Sequence, residues 1–99
     1  MNDMNDIAIQ LILEYVEKYL FDPKLNWPRE EFEERSYSRW AAYEIIESIM
    51  DHPFEQPIDV IDDFYLRMII FGRAAEGTKR EAIFSCAADA AEEIALMFV

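Results

Sequence analysis

Apolar residues recur along this chain with the spacing of helices, and one stretch holds more of them than a single helix face can carry. Between Pro57 and Gly77, at ~100° per residue, Val60, Ile61, Phe64, Met68, Phe71, Gly72 and Ala75 fall on one broad face. Ile58, Tyr65 and Ile69 lie along its edge, and Leu66 and Ile70 are left on the opposite side, among Asp59, Asp63 and Arg67. A surface helix keeps one apolar stripe, whereas a helix apolar nearly all round is buried on several sides. The pattern predicts a central helix over 57–76, one side on the core of its own chain and the other covered by something else.

Three further helices follow from the same spacing. The first is expected over 6–21, where Ala8, Ile9, Ile12, Leu13, Tyr15, Val16, Tyr19 and Leu20 share a wide arc opposite Gln10, Glu14 and Glu17. Asn5 or Asp6 would cap its free N–H groups, and Asp22-Pro23 would end it, because the residue before proline is pushed out of helical geometry. The second is expected over 28–51. Pro28 suits its first position, and Glu30 and Glu31 complement the positive end of the helix dipole. Ser36 and Ser38 are both plausible caps and leave a kink or break near Ser36 open, one long helix being preferred. Phe32, Ala42, Tyr43, Ile45, Ile46, Ile49 and Met50 form its core face, and Trp40 falls on the other side beside Glu44 and Glu47.

Pro53 and Pro57 stop that helix and start the next. Gly77 stands where glycine usually follows a helix end, and Thr78-Lys79-Arg80-Glu81 matches the capping box. The last helix, over 78–97, presents Ile83, Phe84, Ala87, Ala88, Ala90, Ala91, Ile94, Ala95 and Phe98 on one face. No stretch alternates with period two, and no Asn-Gly or Asp-Gly turn occurs. The expected fold class is all-α: residues 1–99 as a single domain, a small antiparallel bundle of four main helices.

Composition narrows the function classes. Of 99 residues 53% are hydrophobic, yet the net charge is -12, so core and surface are both strongly expressed. Nine basic residues scattered among twenty-one acids argue against direct nucleic-acid binding, which needs clustered Lys and Arg, and against anionic membranes. No apolar run approaches the ~18 to 20 residues of a membrane span, and no basic start followed by an apolar run suggests a signal peptide. A cytoplasmic setting is expected. The single Cys86 rules out an internal disulfide framework.

Chemistry is thinly represented. Cys86 and His52 form the one nucleophile–base pair available by residue type, and an inert thiol among alanines is the plainer expectation. One histidine and no Asp-rich calcium loop leave no expected metal site, and two isolated glycines cannot build a phosphate loop. No catalytic residue and no cofactor is expected. Trp40, Leu66 and Ile70 are the candidate partner interface, because clustered exposed apolar side chains mark interaction sites. Self-association, as a homodimer or other homo-oligomer, leads over a different protein partner, and over coverage by Phe21, Leu25 and Trp27 of the connector. Glu30, Glu31, Glu33, Glu34, Asp59, Asp62 and Asp63 form the candidate acidic surface. Its ordinary reading is solubility and helix N-terminal preference; the alternative is a decoy that mimics DNA and occupies a nucleic-acid-binding protein. The expected function is therefore a small acidic interaction or regulatory module without catalytic activity.

Overall fold

A computed structural model describes residues 3–20 and 29–98, with backbone only for residues 3 and 29–32. Helix α1 spans Asp3–Tyr15 and continues as a π-helical turn, Val16–Leu20; α2 spans Arg29–Asp51, α3 Pro57–Ala74 and α4 Glu81–Leu96. The described residues form an all-α bundle without strands. The largest fully buried side chains come from every helix: Ile12 of α1, Ile45 and Ile49 of α2, Ile61 of α3 and Ile94 of α4.

The central position belongs to α4 and not, as the apolar pattern of 57–76 suggested, to α3. Helix α4 packs extensively against both α2 and α3, which touch each other little. Its buried face is Ala87, Ala88, Ala90, Ala91 and Ile94. Methyl-sized side chains let neighbouring helix axes approach on two sides at once. Helix α3 is thereby placed at the outside, with Val60, Ile61, Phe64 and Met68 inward and its second apolar face outward.

Several sequence expectations shift for local reasons. Helix α1 begins before Asn5, so neither Asn5 nor Asp6 is its cap. Asn5 lies on the core-facing side, only 5% exposed, and its Nδ2 donates to the Pro53 carbonyl at 3.2 Å, tying α1 to the link between α2 and α3. Two residues leave the expected inward arc: Leu13, at its edge, and Tyr19, in the π-helical turn, are exposed, whereas Leu20 is buried. An i→i+5 turn advances less per residue than an α-turn. Over this segment the face falls back by most of one residue's ~100°, which carries Leu20 inward and Tyr19 out.

Helix α2 runs as one unbroken helix, the preferred reading. Its core face includes Ala41, fully buried, while Tyr43 and Met50 are exposed. Phe71 is also exposed, its ring tilted against that of Phe84 from the first turn of α4, centroids 5.6 Å apart. The side chain of Phe32, and Pro28, Asp22-Pro23 and the connector residues Phe21, Leu25 and Trp27, lie outside what is described.

Between α3 and α4 the capping box forms one residue out of step. Thr78 Oγ1 accepts from the Arg80 amide at 3.2 Å and donates to the Ala75 carbonyl at 2.6 Å. Glu81 Oε2 accepts from the Gly77 amide at 2.9 Å, not from Thr78. The reciprocal pair therefore secures the turn, and regular helix starts only at Glu81, three residues later than expected. Gly77 has φ +81°, a left-handed conformation that side chains resist. Gly72 is different, because an added Cβ there would meet Phe84 Cβ at an ordinary 3.6 Å. Gly72→Ala should thus stabilise by ~0.4–1 kcal/mol, while Gly77→Ala should cost ~1–2 kcal/mol, both read from urea midpoints.

Candidate interaction face and the cleft at the π-helical turn

Two parts of the surface concentrate functional groups. On the outer side of α3, Leu66 is 58% exposed and Ile70 62% exposed. Four residues apart, they are neighbours on one helix face. Asp59, Asp62, Asp63, Arg67 and Arg73 surround them, all exposed. Asp63 Oδ2 and the Arg67 Nε form an ion pair at 3.3 Å, and the Arg67 guanidinium lies 5.9 Å from the centre of the Phe64 ring. The apolar pair therefore sits within a frame of both charges, not within a purely acidic field.

Trp40 does not join this patch. Although 41% exposed, its ring tilts against Phe64 with centroids 6.4 Å apart. Phe64 and Leu66 point ~200° apart around α3, so Trp40 belongs to the flank that closes on the core. Periodicity placed Trp40 off the core face of its own helix but carried no information on which neighbour it meets. The predicted acidic residues are likewise divided. Asp59 and Asp63 border a cleft with Ser48, His52 and Phe54, whereas Glu34 lines a different one with Asp89 and Glu93. Glu33 is exposed, and the side chains of Glu30 and Glu31 lie outside the described residues.

The cleft holding Glu34 has a volume of about 660 Å³ and lies between the π-helical turn, α2 and α4. Sequence reasoning did not single it out. Tyr15 is buried and its hydroxyl donates to Glu93 Oε2. Carbonyls in the last turn of a helix need outside donors, and Arg35 Nη1 of α2 supplies one to the Tyr19 carbonyl. Tyr15 and Tyr19 stack obliquely at 5.5 Å. π-Helical turns are frequent at functional sites, but such a turn is set by tertiary packing and leaves no periodic signal. Cys86 lines the same cleft, its thiol pKa raised by burial and then by Glu34 and Asp89, which favours the thiol over the nucleophilic thiolate. His52, hydrogen-bonded through Nδ1 to the Ser48 carbonyl at 2.8 Å, borders the cleft beside Asp59, so the two are not brought together.

Burial, followed by the hydrogen bond and charge of Glu93, pushes the Tyr15 hydroxyl well above its ordinary value near 10. An unfolded chain loses that proton first, so the folded state binds more protons above pH ~10 and stability must fall as pH rises from there. Tyr15→Phe should flatten that alkaline decline while costing ~1 kcal/mol at neutral pH through the lost hydrogen bond. Urea denaturation at pH 7 and pH 10.5 measures both.

Among the described residues no group of three or more His, Cys, Asp or Glu is placed to hold a metal ion. No described helix is long and apolar enough to cross a membrane. No protein-family model, no curated protein and no solved structure matches the chain.

Proposed function

We propose that this chain is a small acidic interaction module that works by binding and not by catalysis, and that it self-associates through the outer face of α3. The supporting observation is the pairing of Leu66 and Ile70, both more than half exposed in the middle of that face. Exposed apolar side chains scattered singly mean little; two large aliphatic neighbours ringed by charge have the make-up of an interface centre with a polar rim. A second copy is the favoured occupant because a two-fold axis brings the same patch to both sides, the commonest closed assembly. One helix pair buries less than the ~1,200–2,000 Å² of a standard stable interface, so association should depend on concentration. Light scattering from low micromolar to millimolar protein at physiological salt tests this. A mass rising from one chain toward two is expected, and a single-chain mass throughout would end the proposal.

The decoy alternative draws less support. Arg67 and Arg73 interrupt the α3 acids, and Glu34 borders a separate cleft.

A further inference from the structure

We infer that the two copies meet through antiparallel α3 helices, about a two-fold axis level with Met68, with Asp62 of each chain set beside the partner's Arg73. This deepens the self-association just proposed and rests on it. The reasoning begins with charge order along α3. Asp59, Asp62 and Asp63 occupy its first half, Arg67 and Arg73 its second. A parallel pair would place acid beside acid and stack two helix dipoles head to head. An antiparallel pair about the level of Met68 opposes the dipoles and brings the acidic first half of each helix to the partner's Arg73.

The register follows from helix geometry. Leu66 and Ile70 straddle the mid-line of the outer face, two residues either side of Met68, so reversing the direction sets Leu66 against the partner's Ile70. Asp62 and Arg73 project from one flank, ~20° apart in azimuth. Asp62 lies ~9 Å before the level of Met68 and Arg73 ~7.5 Å beyond it. A two-fold axis perpendicular to the plane of the two helices keeps each flank against the same flank of its partner. Asp62 and the partner's Arg73 thus come level on one side, twice per dimer. Neither Asp62 nor Arg73 is engaged in an ion pair with another described residue, and both are exposed. On the opposite flank Asp63 is already paired with Arg67 of its own chain. Both flanks are self-matched by this symmetry, and this is the one that carries a charge of each sign outside any ion pair among the described residues.

Charge exchange and crosslinking test the register. Asp62→Arg should weaken dimerisation about tenfold at physiological salt, although it lowers the net negative charge and would otherwise ease association. Arg73→Asp should do the same, and the double exchange should return the affinity to within about threefold of the parent. With Cys86→Ser in every chain, a mixture of Leu66→Cys and Ile70→Cys chains should oxidise to mixed dimers. Neither variant alone should give appreciable disulfide, since each 66–66 or 70–70 pair is offset along the axis. Homodimeric crosslinks of Leu66→Cys exceeding the mixed product, or a double exchange no better than the single ones, would overturn the antiparallel register while leaving self-association standing. A parent chain that stays monomeric at millimolar concentration removes the self-association itself. The two failures are therefore distinct.

Discussion

Leu66→Glu is expected to turn a concentration-dependent dimer into a monomer without unfolding it. Fully burying an exposed leucine side chain contributes ~1.5–3 kcal/mol; Leu66 is already partly covered at 58% exposed, so ~1–2 kcal/mol remains to be gained, and two-fold symmetry counts it twice. The loss is therefore ~2–4 kcal/mol per dimer, about one and a half to three orders of magnitude in dissociation constant. Burial of an unpaired carboxylate would add to it. Within one chain the change costs little. Leu66 is 58% exposed, leucine and glutamate are similar helix formers, and the new like-charge pair with Asp62 one turn earlier is worth only ~0.2–0.5 kcal/mol. At a concentration where the parent is already monomeric, the Tm of the variant should stay within ~4 °C. A variant that dimerises like its parent would show that the contact lies elsewhere.

Ile61→Ala should have the opposite profile. Ile61 is 0% exposed on the inner side of α3, within the core cluster that also holds Val60 and Phe64 of its own helix and the buried alanines of α4. Truncating a buried isoleucine costs ~2–5 kcal/mol through lost transfer energy and the cavity left behind. Against a domain stability of ~5–15 kcal/mol that is a large fraction. A midpoint lower by ~10 °C or more in a thermal melt by circular dichroism is the expected result. A shift of only a degree or two would mean that α3 does not pack on α4 as described. Together the two substitutions separate the faces of one helix: the inner residue governs folding, the outer one assembly.

How far the chain could be read in advance depended on whether local spacing or tertiary contact set each feature. The four helices were legible because prolines at 53 and 57 and the Gly77-Thr78 turn punctuate strongly periodic stretches. The exposure of Leu66 and Ile70 was legible for the same reason, since periodicity alone sets them ~175° and ~135° from the centre of α3's core face. The central helix was misassigned because apolar abundance marks what is sticky, not what is surrounded. The small residues of α4, with less apolar bulk, allow two neighbours to come close. Tyr19, expected inward beside Leu20, turned out because the π-helical turn resets the phase midway through a helix. Asn5 read as a cap from its type, yet its amide reaches the Pro53 carbonyl 48 residues away. The cleft with Tyr15, Arg35 and Glu93 gathers residues from three separate segments, so no spacing in the chain could announce it. The division of Trp40 from Leu66 was equally hidden, because it depends on which residue of α3 the indole meets.

A dilution series of ¹H–¹⁵N correlation spectra locates any contact between copies residue by residue. Between millimolar and low micromolar protein, the amides of Asp62, Leu66, Ile70 and Arg73 should shift together along one binding curve, while those of Ala41, Ile45 and Ile94 in the core stay fixed. Spectra that do not change with concentration, or shifts confined to the Tyr15–Glu93 cleft, would contradict the assignment of the outer face of α3 as the interaction site.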